Sequence, residues 1–209
     1  MVWLLPRDYG VSRTIWDVVR GTTKALYTDM TSGNTTLSDG LTAFNSDGFT
    51  LSGNAETNKV DKNWISWNWD AGTSAATAST DGSITPSAQW VNATAGFSIS
   101  KFTGTGAVAT VGHGLGVPPA FVAIKNLTSA EEWVVGHIGM GDNSSHLAFE
   151  KYIHLDNDQA MADHNSLWHD TNPTNTVVTI GTAGSTNAST DMLMYAWAPI
   201  PGFSAFGFY

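Results

Sequence analysis

The chain has 209 residues, enough to bury one sizeable hydrophobic core or two small ones, and no cysteine, which excludes disulfides, thiol nucleophiles and thiolate metal sites. Charged residues make up 13% of the chain, about half the usual share, and the net charge is −9. This balance argues against nucleic acid or an anionic membrane as the main partner.

The first residues do not have the pattern of a signal peptide. The apolar residues Met1 to Leu5 are followed at once by Pro6 and Arg7, so the long apolar segment of a signal peptide is missing. No continuous apolar run is long enough to span a bilayer. We therefore expect neither a signal peptide nor a transmembrane segment.

The first half of the chain alternates short apolar runs with turn-forming residues. Stretches 31–40 and 45–48 are rich in Ser, Asn, Asp and Gly, a composition typical of loops and tight turns. The apolar runs predict strands at residues 2–5, 15–21, 25–30, 49–51 and 64–69, with brief strands at 81–84 and 89–91.

A glycine-punctuated stretch from Gly96 to Asn126 lies between the two halves. Phe97 and Ile99 alternate with serines, which is the period-2 pattern of a half-buried strand. Glycines then mark turns, and the two prolines at 118–119 prevent a strand from continuing. The next strand is predicted at 121–124.

The second half has the same character. It predicts strands at 132–138, 146–150, 152–155, 176–180 and 192–197, a polar loop at 156–173 and a closing segment at 202–207. No long stretch has helical periodicity. Many short strands separated by frequent turns predict an all-β fold, either a sandwich or a barrel.

Recurring motifs indicate an internal duplication, with a first β repeat at 1–95 and a second at 96–209. Offsets that drift along the chain are what loop-length changes between duplicated units produce. The matched positions are Trp16 with Trp133, Trp67 with Tyr195, Trp69 with Trp197, and Gly96-Phe97-Ser98 with Gly202-Phe203-Ser204.

The closing copy of the Gly-Phe-Ser motif suggests how the ends of the chain are arranged. We expect a strand at 203–208 to pair near the strand at 2–5, closing one compact unit and hiding edges that would otherwise aggregate. The alternative is that the chain is an excerpt of a longer repeated protein.

Taken together, the motifs resemble a repeat domain of uncharacterised function that is common in virion and tail-fibre-like proteins of marine and cyanobacterial phages. The resemblance covers nearly the whole chain. It rests on Trp16-Asp17-Val18-Val19-Arg20-Gly21, Phe44-Asn45-Ser46-Asp47-Gly48-Phe49, Trp64-Ile65-Ser66-Trp67-Asn68-Trp69-Asp70-Ala71-Gly72, Gly96-Phe97-Ser98-Ile99, Val111-Gly112-His113-Gly114-Leu115-Gly116 and Gly202-Phe203-Ser204 with Phe206-Gly207.

This resemblance implies a jelly-roll sandwich of the concanavalin or laminin-G type and a non-enzymatic structural role in a virion, as a tail fibre, spike or head-decoration module. The implied partners are other virion proteins and copies of the chain itself, with assembly in the host cytoplasm. The resemblance supplies no catalytic residues.

The sequence carries no motif of a known catalytic constellation. There is no nucleophile elbow, no zinc-protease motif and no phosphate-binding loop with its lysine. Glu56 and Glu150 remain as carboxylates for a glycan hydrolase, but no spacing selects a pair, and solvated surface carboxylates are the simpler interpretation.

The polar loop at 156–173 holds the densest set of metal-ligand residue types. Asp156, Asp158 and Asp163 offer hard oxygen ligands that suit calcium. His164 and His169 would instead favour a transition metal. The alternative is that these side chains are solvated or bonded to the backbone, because no EF-hand spacing is present.

Tryptophans in polar surroundings are the candidates for contact with a host glycan, because exposed aromatic faces stack on sugar rings. Trp90 and Trp168 have such surroundings, and Trp168 lies beside His164 and His169. The alternative for Trp168 is a loop anchor packed onto the sandwich. Three functions thus remain open: a virion structural protein, a glycan- or receptor-binding adhesin module, and a glycan hydrolase.

Overall fold

The computed structural model describes residues 1–141 and 148–207, in which β-strands dominate. Two one-turn helices, α1 (Asn165–Trp168) and α2 (Gly184–Asn187), and two 3-10 turns, Ile138–Met140 and Ala148–Glu150, complete the regular structure of these residues. The strands are β1 (Val2–Pro6), β2 (Thr14–Asp17), β3 (Gly21–Tyr27), β4 (Thr35–Thr36), β5 (Leu41–Phe44), β6 (Phe49–Leu51), β7 (Trp64–Asn68), β8 (Ala88–Asn92), β9 (Phe97–Thr103), β10 (Ala109–Gly112), β11 (Phe121–Asn126), β12 (Val134–His137), β13 (Lys151–His154), β14 (Ala162–Asp163), β15 (Val177–Ile180) and β16 (Asp191–Trp197).

Two antiparallel sheets form the frame, which confirms the predicted all-β sandwich. A five-stranded sheet has the order β4-β3-β2-β1-β7, and a seven-stranded sheet has the order β14-β13-β12-β11-β16-β9-β8. The hairpin β5–β6 and the pair β10–β15 form two smaller sheets. The jelly-roll topology stays a prediction. None of the helices in the described residues is long and apolar enough to cross a membrane.

The sandwich has four layers because a smaller element covers part of the outer face of each large sheet. Between the two large sheets, Ile15 and Leu26 pack with Phe97, Ala123 and Tyr195. The β5–β6 hairpin covers the outer face of the five-stranded sheet, and β10, β15 and α1 cover the outer face of the seven-stranded sheet. A strand buried on both faces must be apolar throughout, which explains the run Met192-Leu193-Met194-Tyr195-Ala196 in β16.

The two large sheets correspond in strand order. The order β4-β3-β2-β1-β7 matches β14-β13-β12-β11-β16, so β7 and β16 hold the same place beside the first strand of each half. The duplication itself stays a prediction, as do its boundaries; β8 lies before residue 96 and pairs with β9. The match of Trp16 with Trp133 is wrong. Trp16 packs under β5–β6, whereas Trp133 packs between the sheets, on the other face of its strand.

The C-terminal segment, defined here as residues 202–207, does not form the closing strand predicted at 203–208, of which residue 208 lies outside the described residues. Gly202 has a left-handed backbone (φ 77°), and the backbone of Ser204 turns back to bridge Ile200. The Phe206 ring lies 6.2 Å from the ring of His137 on β12. The predicted strand at 146–150 lies partly outside the described residues, and Ala148–Glu150 form a 3-10 turn instead.

A buried ion pair of the five-stranded sheet is hydrogen-bonded to a tyrosine of the seven-stranded sheet and so joins the two sheets. Asp17, at the end of β2, is fully buried, and its carboxylate lies 2.6 Å from Nε of Arg20. The Tyr195 hydroxyl, on β16 of the other sheet, donates to the same carboxylate at 2.6 Å. The other carboxylate oxygen accepts from the backbone amides of Val19 and Arg20. Every polar atom of the carboxylate is therefore satisfied.

Burial alone would raise the pKa of Asp17, but the charge of Arg20 and the hydrogen bonds from Tyr195 and Arg20 outweigh it and hold this pKa below its usual value. Burial and the Asp17 carboxylate raise the pKa of Tyr195 well above 10, so this hydroxyl stays protonated and continues to donate. The network is therefore fully charged and bonded at neutral pH.

We expect Asp17→Asn to lower the free energy of unfolding by about 3–5 kcal/mol at pH 7, because it leaves the Arg20 guanidinium buried without its counter-charge. The matched control is Asp29→Asn, which breaks the exposed ion pair with Arg13 and should cost less than about 1 kcal/mol. Urea unfolding followed by circular dichroism measures both. Equal losses for the two variants would contradict a structural role for the buried pair.

A buried lysine forms a second connection between the halves. The Lys125 ammonium, on β11, donates to the carbonyls of Thr31, at 2.6 Å, and Glu131. Burial lowers the pKa of Lys125 to about 8, against the opposing effect of Asp156, Glu131 and Glu132.

This lowered pKa predicts a pH dependence of stability. Between about pH 8 and 10.5 the unfolded chain holds a proton on Lys125 that the folded chain has released, so raising the pH through this range favours the folded state. We expect the unfolding free energy of the wild type, minus that of Lys125→Met, to rise across this range and to stay level below it. The exposed Lys59→Met serves as the control, and a flat difference for Lys125→Met would contradict the prediction.

Candidate functional site

An open cleft of about 770 Å³ lies at one end of the sandwich. It is bounded by the start of β1, the β5–β6 turn, the chain that leaves β7, and Trp90 on β8. These elements come from four separate parts of the sequence, so the sandwich itself assembles the cleft. We call it the aromatic cleft after the side chains that line it: Phe44, Phe49, Trp69 and Trp90, with Asn45, Asp47, Asn68 and Asp70 among the polar residues.

The inter-sheet core holds the aromatic wall in place. The Trp69 ring lies 5.7 Å from the Trp197 ring and 6.4 Å from the Phe97 ring, both of the seven-stranded sheet. Trp90 is half-buried and packs against the same core cluster. Rings fixed on one side by the core and open on the other can offer a flat apolar face to a ligand.

Local hydrogen bonds hold the polar wall. The Asp70 carboxylate accepts from the Gly72 amide at 2.8 Å and from the Asn92 side chain at 3.0 Å. A side chain at Gly72 would meet the Val91 carbonyl at 3.1 Å, and Gly72 has φ 98°, so this close approach to β8 requires glycine. Across the cleft, the Asn45 amide donates to the Gly48 carbonyl at 2.8 Å and forms the turn that presents Asp47.

The two tryptophans predicted to contact a ligand lie in different environments. Trp90 lines the aromatic cleft. Trp168 is completely buried, with its ring 5.2 Å from Phe149, so the expectation that it lies on the surface is wrong. The one-turn helix α1 turns Trp168 inward together with Leu167, although most of the surrounding loop is polar. The alternative interpretation of Trp168, a loop anchor packed onto the sandwich, describes its position.

The two histidines beside Trp168 are exposed and lie away from the aromatic cleft. The His164 ring accepts from the Ser166 amide at 3.3 Å and caps α1. His169 ends the same helix in a left-handed conformation (φ 51°). Their contacts fix a helical turn, and neither histidine lines the aromatic cleft.

The structure does not bring the predicted calcium ligands together. One Asp156 oxygen accepts from the Trp133 amide at 3.1 Å, whereas Asp163 pairs with Lys151 at 2.8 Å and Asp158 is exposed. Within residues 1–141 and 148–207, no group of three or more His, Asp or Glu side chains could hold a metal ion. Asp156 instead bonds to a backbone amide, and Asp163 forms an ion pair with a lysine.

The arrangement of the aromatic cleft suits binding of a neutral polar ligand. Flat aromatic faces lie beside amides, which can donate to and accept from hydroxyl groups, and beside carboxylates, which accept from them. Sequence reasoning found Trp90 but missed Trp69 and Phe44 as site residues, because both look like core positions of strands. The turn Asn45-Ser46-Asp47-Gly48 was recognised only as a turn; its place at the cleft depends on long-range packing.

The fold and the cleft define an all-β sandwich that carries an open cleft lined by aromatic and polar side chains. The chain belongs to the family described as Domain of unknown function (DUF7483), whose model matches residues 1–209. No curated protein and no solved structure shows significant similarity to the chain.

Proposed function

We propose that the protein is a non-enzymatic structural module of a phage particle, such as part of a tail fibre, a spike or a head-decoration layer, which associates with copies of itself and with other particle proteins. One observation carries the proposal. No described strand pairs with the outer edge of β7, and this strand displays Ile65, 38% exposed, and Trp67, 47% exposed. Open apolar edges are templates for pairing with another chain.

Composition supports the same function. Ionic side chains are scarce, at 13% of residues, while the fold is an all-β sandwich. Such surfaces offer hydroxyls and amides, which can be packed in a symmetric assembly with less desolvation cost than charges. The resemblance of the sequence motifs to phage tail-fibre-like proteins is the reason for proposing a phage particle.

An antibody raised against the purified chain tests this function. We expect the antibody to decorate purified phage particles from the host culture in negative-stain electron microscopy, at fixed positions on the head or tail. A preimmune serum controls for adhesion. Labelling confined to host cells, with none on particles, would contradict the proposal.

The aromatic cleft favours a second candidate function, binding of a host-surface glycan by an adhesin module on the same particle. The observation behind it is the aromatic wall of Trp69 and Trp90 beside Asn45, Asp47 and Asn68. Carbohydrate rings have apolar faces that stack on such rings and hydroxyls that bond to such amides and carboxylates.

We expect the protein to bind one or more oligosaccharides on a printed glycan panel, and Trp90→Ala to weaken that binding by roughly tenfold or more, equal to about 1.4 kcal/mol. Trp67→Ala is the matched control, because Trp67 is an exposed tryptophan outside the aromatic cleft. Equal effects of the two variants would show non-specific aromatic adhesion, and no binding to any glycan would remove this candidate.

A further inference from the structure

We propose that the open edge of β7 is the seat of the C-terminal segment of a second copy of this chain, which adds there as an antiparallel sixth strand. This inference names the partner surface within the proposed assembly, and so rests on self-association but not on the place of the protein in a particle. Its basis is the correspondence between β7 and β16, and between the C-terminal segment and β9.

The edge of β7 differs from the other ends of the two large sheets. The opposite ends, β4 and β14, have two residues each. The outer side of β8 is covered in part by the chain at Ala76 and Ser79, whose amides donate to Gln89. β7 has five residues, and no Pro, Lys or bulge interrupts it. Natural edge strands are normally protected by one of these features.

The hydrogen bonds between β7 and β1 show which backbone amides and carbonyls of β7 face outward. The bonds from the Arg7 amide to the Asn63 carbonyl and from the Trp69 amide to the Met1 carbonyl pair the odd-numbered residues with β1. Alternate residues of an antiparallel strand point their backbone groups to opposite sides. The amides and carbonyls of Trp64, Ser66 and Asn68 therefore face the open edge, where no described strand pairs with them.

The equivalent positions of β16 are those that bind β9. Trp67 and Tyr195 lie 128 residues apart, as do Trp69 and Trp197, which aligns Ser66 with Met194 and Asn68 with Ala196. Met194 pairs with Ser100 of β9, and Ala196 pairs with Ser98. The bond from the Ala198 amide to the Gly96 carbonyl shows that these even-numbered positions exchange the hydrogen bonds.

The C-terminal segment repeats the start of β9. Gly202-Phe203-Ser204 copies Gly96-Phe97-Ser98, and both glycines have left-handed backbones, with φ 77° and 68°. Phe97 is buried against Trp197, with ring centroids 5.0 Å apart, whereas Phe203 is 72% exposed. The segment thus has the sequence of a β9-type strand but none of its pairing.

These correspondences fix a register. Ser204 of one copy would lie opposite Asn68 of the other, with Phe206 opposite Ser66. Phe203 would lie opposite Trp69, as Phe97 lies opposite Trp197. Within one chain the segment is folded away from β7, with Ser204 bonded to Ile200 and Phe206 against His137, so the open edge is left to a partner copy. Exchange of an identical element between copies is a low-cost route to association.

Two proline variants block the two sides of this contact. Ser66→Pro removes an outward amide without touching the β1 ladder, as edge strands tolerate. Phe206→Pro removes the amide that would bond to Ser66. Analytical ultracentrifugation over a concentration series should show self-association of the wild type and of the controls Ser66→Ala and Phe206→Leu. Each proline variant alone should weaken it roughly tenfold or more.

Mixing the two proline variants gives the decisive result. The Phe206→Pro chain keeps an open edge and the Ser66→Pro chain keeps an intact segment, so the mixture should form 1:1 heterodimers more tightly than either variant associates with itself. A wild type that stays monomeric, or association that survives both proline variants, would overturn the proposal. Monomeric wild type with labelled particles would refute this contact and self-association, while leaving the proposed place of the protein in a phage particle standing.

Cysteine pairs test the register, since the chain has no cysteine of its own. Mixed Asn68→Cys and Ser204→Cys chains should form an intermolecular disulfide under mild oxidation, because directly opposite residues lie about 5.5 Å apart at Cα, within disulfide range. The control uses Ala205→Cys in place of Ser204→Cys. In the proposed strand, residue 205 points to the opposite face of the sheet, so this variant should not crosslink to Asn68→Cys. A double variant Asn68→Cys with Ser204→Cys that crosslinks only within one chain would overturn the proposal in favour of closure in the same molecule.

Discussion

The sandwich depends on one buried carboxylate. Asp17 belongs to the five-stranded sheet, yet its oxygens are satisfied only when Arg20 folds back over it and Tyr195 of the seven-stranded sheet reaches it. Arg20 in turn donates to the backbone carbonyls of Ile15 and Lys24, which fixes the turn between β2 and β3. A half-satisfied buried ion is costlier than an apolar core, so this network tolerates one placement of the sheets far better than any other. The position of β16, and hence of β9 and the aromatic cleft, follows from it.

The remaining connections between the sheets have no counterpart in a symmetric duplication. Lys125 reaches the carbonyl of Thr31, and the Trp133 indole donates to the carbonyl of Tyr27 at 2.8 Å. The loop after β3 also lies so close to β11 that a side chain at Gly33 would meet the Leu127 carbonyl at 2.6 Å. All three contacts fix the end of the five-stranded sheet near β3 to the other sheet. Among the described residues, no such polar network supports the outer edge of β7, which agrees with its proposed role as a partner surface.

The sequence predicts strands correctly where a single hydrophobic pattern runs along the segment. It does not predict the burial of residues whose position depends on contacts between distant parts of the chain. Alternation at Phe97 and the apolar runs around Val122 and Leu193 identify β9, β11 and β16, because burial of one or both faces leaves its pattern in the chain. Asp17 looks like a solvated charge at the end of a strand, since nothing local announces that Tyr195 will cover it. Trp168 looks exposed because most of its loop is polar, but a single helical turn buries it with Leu167. Only part of the aromatic cleft could be predicted from the sequence. Trp90 has polar neighbours that suggest a surface position, whereas Trp69 lines the cleft only because the two sheets pack together.

The cleft and the open edge share residues, and this links their chemistry. Asn68 ends β7 and also lines the aromatic cleft, and Trp69 and Asp70 continue the same wall. A strand added beside Asn68 would place Phe203 next to Trp69, so it changes the same surface that a glycan would touch. Two ligands that meet one surface must alter each other's affinity by the same factor. Association of copies and binding in the cleft are therefore one coupled equilibrium in the proposed assembly, either competing for Trp69 or jointly completing a wall that one chain leaves open.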